Sequence, residues 1–434
     1  MRSDPKSISR RQLLQGAGGL IAYSAAAPSL GSTSDGQKSA IAQMPAIVRN
    51  ENVEYGRDTL LPGIRSRYID NNNGVTRMHI LEAGFEEHGR PCIIFVHGFP
   101  ELAYTWRNQL LPLAHAGFHV VAPDVRGYGR SVVTPVTYDD DVLPYSVLNR
   151  ASDILGLVRA LGYKKVAALI GHDWGGPTAA WCALLRPDVF RSVVLISTPF
   201  GGPPELPLNT ANHPLRHVAE ADVDKDLAAL PRPRKHYRSY LATRGANDDM
   251  WHAPQGVHEL LRAQFYFKSA DWKGNKPFPL KSWTASELAK MPEYYIMDLD
   301  RTVAETMAAK MPSKAQVAAC KWMTEKDLDV FATEFIRTGF QGGLNCYRIF
   351  EVSGDLNSFS GRTIDVPALY IAGASEWGVY QTPGVFEGMQ HGACTRLLGV
   401  HLLKGAGHSV AEEQPAEVNS LIIQFLQQAK QIAS

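Results

Sequence analysis

The sequence predicts an α/β protein, a mostly parallel sheet covered by helices and interrupted by an inserted helical cap, and three observations carry that expectation. From about Arg65 to Pro199, short apolar or β-branched runs alternate with segments of helical length. After Pro199, Gly201-Gly202-Pro203-Pro204 and Pro231-Arg232-Pro233 punctuate a long region without strand signals that reaches about Arg362. Strand signals then return for the last part of the chain.

At the N-terminus, Arg2, Lys6 and the pair Arg10-Arg11 precede an apolar stretch from Leu13 to about Ala27 that is rich in small residues, the make-up of an export signal. Ser9-Arg10-Arg11-Gln12-Leu13-Leu14 resembles the twin-arginine signal, whose cargo crosses the membrane already folded. The stretch falls short of the roughly 18 apolar residues a spanning helix needs. Residues 1–27 are therefore read as a twin-arginine-like signal peptide and residues 28–57 as a Ser/Gly/Gln linker. The mature chain is expected to be periplasmic or secreted, with no membrane span.

Residues 58–200 form the first part of the predicted core. Ile64 to Asp70 and Arg77 to Glu82 flank Asn71-Asn72-Asn73-Gly74, a hairpin signal, and read as two antiparallel edge strands. Cys92 to Val96, His119 to Ala122, Val166 to Ile170 and Val193 to Ile196 are continuous apolar runs, as strands buried on both faces require. Residues 201–362 read as the cap, with helices over Val257 to Lys268, Ala285 to Lys290, Thr302 to Lys310 and Glu325 to Thr338. Residues 363–434 complete the core with strands Ala368 to Ile371 and His401 to Leu403 and the amphipathic segment Ala416 to Ile432.

Composition narrows the function classes. With 434 residues, 45% hydrophobic and 20% charged, the chain can bury a large core. A net charge of +1 lacks the clustered excess of Lys and Arg that nucleic acid or an anionic membrane selects, and the basic run Pro231 to Arg238 reads as a solvated loop. Cys92, Cys182, Cys320, Cys346 and Cys394 form neither a CxxC pair nor a CxxH cluster, so they read as mostly buried small apolar residues and not as zinc ligands or a disulfide framework. No GxGxxG sits between a strand and a helix. Neither a metal nor a cofactor is expected.

The chemistry lies in the turns after the strands. Val166 to Ile170 runs into Gly171-His172-Asp173-Trp174-Gly175-Gly176 and then a helical segment from about Pro177, a nucleophile elbow with Asp where lipases carry Ser. Such an elbow exposes the central side chain at the carboxyl end of the sheet, beside a helix N-terminus that favours negative charge. In elbow folds the nucleophile is followed along the chain by an acid and then a histidine. His408, in Gly405-Ala406-Gly407-His408 after a strand, supplies the base, and Glu376, just after strand Ala368 to Ile371, can receive its Nδ1 hydrogen. Asp365 is the runner-up, but it precedes the strand. Strand Cys92 to Val96 ends in His97-Gly98-Phe99-Pro100-Glu101, where a sharp turn, suited by a cis bond before Pro100, can aim the Phe99 amide at Asp173 beside the Trp174 amide. An Asp nucleophile forms an alkyl ester that water must cleave at the Asp carbonyl carbon, so an oxyanion hole there is worth roughly 3 kcal/mol per donor.

His97-Gly98-Phe99-Pro100-Glu101 with Trp106-Arg107, Asp124-Val125-Arg126-Gly127-Tyr128-Gly129-Arg130-Ser131 and Gly171-His172-Asp173-Trp174-Gly175-Gly176 together resemble the epoxide hydrolase branch of the α/β-hydrolase fold, over about residues 60–200 and 340–425. The resemblance implies an Asp that attacks an epoxide carbon, a small-molecule epoxide and water as partners, and two cap tyrosines that hold and protonate the departing oxygen. Gly339 to Arg348 is similar to the family's segment around one of these, which falls on Tyr347; Pro292-Glu293-Tyr294-Tyr295-Ile296 puts the other on Tyr295, with Tyr294 and Tyr266 as fallbacks. His97, Pro100 and Trp106 are assigned to the substrate pocket on the same basis. Glu376 stands where the family usually has Asp, and the stretch from Phe200 to Tyr295 is longer than the family's.

A haloalkane or haloacetate dehalogenase shares the Asp nucleophile and the histidine, but needs halide-binding N–H donors, and many haloalkane dehalogenases carry Asn where this chain has Phe99. A phenol near pKa 10 can protonate a nascent alkoxide and has nothing useful to give chloride. No Ser occupies an elbow, which disfavours a serine esterase. A secreted binding protein on the same fold would have no use for a base that activates water.

Overall fold

The computed structural model describes residues 55–71, 77–131, 135–205, 220–349 and 354–433. The expected signal, nearly all of the linker and the tip of the first hairpin lie outside these residues. Ten strands are placed among them: β1 Arg65–Asp70, β2 Arg77–Ala83, β3 Cys92–Val96, β4 His119–Pro123, β5 Ala168–His172, β6 Val193–Ile196, β7 Arg234–His236, β8 Ile296–Asp298, β9 Ala368–Gly373 and β10 Leu397–Leu403. Eight form one sheet in the order β1-β2-β4-β3-β5-β6-β9-β10. β1 and β2 pair antiparallel, as does β2 with β4, and every other pair is parallel. This is the α/β-hydrolase fold.

Side chains of a strand alternate between faces, and the central strands divide accordingly. Ile93 and Phe95 of β3 join one hydrophobic cluster, whereas Cys92, Ile94 and Val96 join another. The second cluster packs against helices Val147–Ala160 and Gly175–Leu185. The first takes in Leu110 and Leu113 of helix Arg107–His115 and Val418, Ile422 and Phe425 of helix Pro415–Ala433, then runs without a break into the cap through Leu260, Leu261, Phe265, Phe331 and Phe335. The cap and one face of the sheet thus share a single core. Cys92, Cys182, Cys346 and Cys394 are buried, Cys320 is half-buried, and all five are unpaired. Among the described residues no helix is long and apolar enough to cross a membrane.

Two expectations about local structure change. β5 begins at Ala168 and continues through Gly171 and His172, because those two residues pair with Leu195 and Ile196; Val166 makes only an isolated bridge to Phe190. The region between β6 and β9 is not free of strands either. β7 and β8 form a small antiparallel sheet within it, with Arg234 opposite Asp298. Arg234 and His236 are buried, Arg234 Nε lies 3.3 Å from Asp298 Oδ1, and Arg232 reaches Asp298 at 2.7 Å and Glu293 at 2.9 Å. Within the basic run Pro231 to Arg238, expected as a solvated loop, Pro231 to Pro233 are exposed, but Arg234–His236 is a strand. Arg232 and Arg234 are matched by carboxylates distant in sequence, which periodicity cannot register.

A buried ionic latch joins cap and core. The Arg107 guanidinium pairs with Glu412 next to the C-terminal helix, lies 3.0 Å from Asp327 of cap helix Glu325–Thr338, and donates to the Trp322 carbonyl at 3.1 Å. Tyr104 Oη donates to the same Asp327 at 2.7 Å. Removing one partner of a buried pair leaves uncompensated charge. Arg107→Met is therefore expected to cost roughly 3–5 kcal/mol in urea unfolding; an unchanged midpoint would show the latch to be idle.

Candidate active site

β5 delivers Asp173 at the carboxyl end of the sheet, and helix Gly175–Leu185 begins two residues later. Asp173 holds φ at 49°, the left-handed region that L-residues occupy only when their surroundings enforce it. The turn is closed tightly enough that a Cβ on Gly175 would sit 2.0 Å from the Val96 carbonyl oxygen of β3. The β3 turn itself holds a cis bond between Phe99 and Pro100, and the Phe99 amide donates to Asp173 Oδ1 at 2.9 Å. One carboxylate oxygen is thereby fixed in the position an oxyanion would take.

The other oxygen, Oδ2, lies 3.7 Å from His408 Nε2, beyond a hydrogen bond. His408 Nδ1 lies 3.1 Å from Glu376 Oε1, and Glu376 is itself held by the Gly378 amide at 2.5 Å. The structure therefore brings Asp173, Glu376, His408 and the Phe99 amide into one chain of contacts. Asp365 is remote from it, bonded to Thr363 and Thr395 on the surface.

Two residues without a role in the sequence reading stand directly behind this chain. His172 Nε2 donates to the His408 carbonyl at 2.8 Å, where Ser197 Oγ also donates at 2.9 Å, and His172 Nδ1 lies 2.7 Å from Glu101. Burial alone would lower His172, but the Glu101 carboxylate overrides it and holds the imidazole up at about 9; the imidazolium in turn keeps Glu101 down at about 2 in spite of its burial. Glu101 also accepts from the Gly98 amide at 2.8 Å, so the pair ties the Phe99 turn to the His408 loop. Glu101, His172 and His408 bring their ligand atoms within 4.8 Å of one another, as a cation site would. His172, however, has both nitrogens committed to Glu101 and the His408 carbonyl.

The cap adds the phenols. Tyr347, on helix Gln341–Arg348, stands edge-on to Trp174 and to Phe99, with centroids 5.0 and 5.6 Å away. The helix packs closely through two glycines: a Cβ on Gly342 would lie 2.0 Å from the Gly127 carbonyl oxygen and one on Gly343 2.7 Å from the Phe99 ring. The ring set beside Tyr347 from the rest of the cap is Tyr237, at 6.0 Å, a residue the sequence reading did not single out. It follows β7 directly, its amide donates to the Tyr295 carbonyl at 2.9 Å, and its hydroxyl donates to Gln381 Oε1 at 3.2 Å. Tyr295, expected as the second phenol, packs at right angles against Tyr237 and Tyr294 and so backs the pair. Tyr294 accepts from Gln264 at 3.1 Å, and Tyr266 is hydrogen-bonded to Gln316 on the outside of the cap. Burial raises Tyr347 and Tyr237 above the ordinary phenol value, so both keep their protons at neutral pH.

The pocket assignments also shift. Trp106 is fully buried against Phe95 and His172, and the His97 ring lies 3.0 Å from the Gly98 carbonyl through Nδ1 and takes the Val125 amide on Nε2 at 3.1 Å. Both are framework residues behind the site. Pro100 is buried in the turn that carries Phe99.

A histidine raised in the fold contributes stability that is complete below its ordinary value of 6.5 and is lost as the pH rises through about 9. Glu101→Gln is expected to cost roughly 3–5 kcal/mol at neutral pH. Thermal unfolding of both proteins should show a gap that closes as the parent's His172 gives up its proton; a gap unchanged at high pH would contradict the pairing.

Comparison with known proteins identifies the family. The family model described as alpha/beta hydrolase fold matches residues 91–266. Epoxide hydrolase A of Mycobacterium tuberculosis is 31% identical over 83% of this chain and 96% of its own length. Epoxide hydrolase 1 of Siraitia grosvenorii is 32% identical over 82% and 96%. Among solved structures, an epoxide hydrolase from an endophytic Streptomyces superposes with a TM-score of 0.66 at 30% identity, covering 86% of this chain and 97% of its own. Potato epoxide hydrolase I does so with 0.63 at 26%, covering 84% and 99%. With an Asp at the elbow and relatives that match along nearly their whole length, the chain belongs to the epoxide hydrolase family of α/β-hydrolases.

Proposed function

We propose that this enzyme opens epoxides to vicinal diols in two steps, a reading that rests above all on the Asp173 carboxylate with one oxygen held by the Phe99 amide and the other facing His408. Asp173 Oδ2 attacks an epoxide carbon, the ring C–O bond breaks, and the departing oxygen takes a proton from Tyr347 or Tyr237. The phenols suit this role because burial keeps them protonated while an alkoxide is far more basic. Water then loses a proton to His408 Nε2 and attacks the Asp173 carboxyl carbon. The negative charge collects on Oδ1 under the Phe99 amide, collapse breaks the bond from the carboxyl carbon to Oδ2, and the second proton of the water passes to the departing alkoxide, which frees the diol and restores the carboxylate. The proton taken from water balances the one given by the phenols.

Glu376 steadies the imidazolium that forms, and the His172 imidazolium behind it adds positive charge facing Asp173. His408→Gln, given styrene oxide, is expected to accumulate an ester on Asp173, visible as a mass increase of one substrate on the intact protein, because ring opening needs no base. Tyr237→Phe or Tyr347→Phe should each slow ester formation roughly 10- to 100-fold, and Tyr295→Phe should do so far less. An unmodified His408→Gln protein, or tyrosine variants that alkylate at the parent rate, would overturn the scheme.

We also infer export of the folded enzyme by the twin-arginine route, supported by Arg10-Arg11 ahead of the apolar stretch Leu13 to Ala27. Changing both arginines to lysine should leave the protein in the cytoplasmic fraction of a bacterial host; unaltered export would contradict it.

A further inference from the structure

Glu413 is a half-buried acid with its Oε1 shielded from solvent; the two-step scheme does not use it, and it sits five residues after the catalytic histidine. A single oxygen, Oε2, accepts two backbone N–H groups at 2.9 Å each: that of Gly407, immediately before His408, and that of Ala270, just beyond cap helix Gly256–Lys268. Among the described residues the other oxygen, Oε1, has no hydrogen-bond partner. The same two segments meet a second time, because the His408 amide donates to the Lys268 carbonyl at 2.9 Å. The cap side of this contact is braced in its own right. Asn275 Nδ2 donates to the Phe267 and Ser269 carbonyls at 2.8 Å, and Ser269 Oγ to the Tyr266 carbonyl at 2.8 Å.

We propose that Glu413 is a positioning residue for the water-activating step, fastening the His408 loop to the end of the cap helix so that the cap fixes where the imidazole stands. The inference rests on the two-step reading above. His408 must keep Nδ1 at Glu376 and Nε2 over Asp173, and its loop is reached from below by His172 and Ser197 at the carbonyl. Glu413 and Lys268 supply the restraint from the cap side. Ring opening uses Asp173 and the phenols and does not need the imidazole, whereas ester hydrolysis does. Misplacing a catalytic group by about 1 Å can cost on the order of 100-fold, so loosening this loop should separate the two steps. Since Oε2 carries both contacts and Oε1 none, glutamine can keep both with its carbonyl oxygen; aspartate, one methylene shorter, cannot span the two amides.

The test is rapid-quench measurement of ester formation and ester breakdown with styrene oxide in the parent, Glu413→Gln, Glu413→Asp and Glu413→Ala. Formation is expected within about threefold of the parent in all of them, breakdown slowed at least about tenfold in the Asp and Ala variants, and most of that loss recovered in Glu413→Gln. Should the Ala variant fail to fold, the Asp variant decides. Parent-like breakdown in Glu413→Asp, equal slowing of both steps, no recovery with Gln, or loss of the fold in Glu413→Asp would each overturn the proposal. A parent enzyme that forms no ester at all would instead bring down the two-step reading itself.

Discussion

Asp173 keeps its backbone at a φ of 49°, which an L-residue tolerates only where its neighbours permit no alternative, and most of the molecule can be understood as supplying those neighbours. β5 ends between β3 and β6 at the middle of the sheet, the following helix starts at once, and the Phe99 amide receives the carboxylate from the side. The other non-glycine residue at positive φ among those described is Ser197, at 64°, after β6. Its hydroxyl donates to the His408 carbonyl. Both strained positions therefore serve one site, and the sheet's hydrogen bonds and two hydrophobic faces hold them there.

Legibility in the sequence followed the range of the interaction. β3 and β6 are local apolar runs and fall where periodicity places them, and the elbow is marked by its own glycines. Asp173, Glu376 and His408 each follow a readable strand, so topology alone predicts that they converge. Tyr237 is different in kind. It directly follows Arg234–His236, a stretch whose charge argues for solvent, and pairing with β8 and with Asp298, some sixty residues on, makes that stretch a strand. Glu101 and His172 were visible as parts of motifs, but their pairing arises where two loops from different strands cross.

Electrostatics around the nucleophile is layered. The acid Glu376 faces His408 directly, and the second acid, Glu101, is kept ionised by the His172 that it keeps charged. Burying such a pair is costly unless its remaining donors and acceptors are met. Here the Gly98 amide meets Glu101 Oε2 and the His408 carbonyl meets the far nitrogen of His172, while Glu101 Oε1 has only the imidazolium beside it. The arrangement converts a charge pair into a mechanical tie between the turn that holds the oxyanion and the loop that holds the base.

The hydrophobic cluster that runs from Phe95 through Trp106 to Phe331 and Phe335 without a boundary has a bearing on engineering. A lid that merely covered a site could be exchanged between cousins like a cartridge. Here one apolar interior belongs to both parts, so a change of side-chain volume on Arg107–His115 is felt by the cap residues packed into the same core. A graft of a foreign cap would have to import the facing sheet residues with it, and recombination breakpoints between β6 and β9 would sever partners on either side.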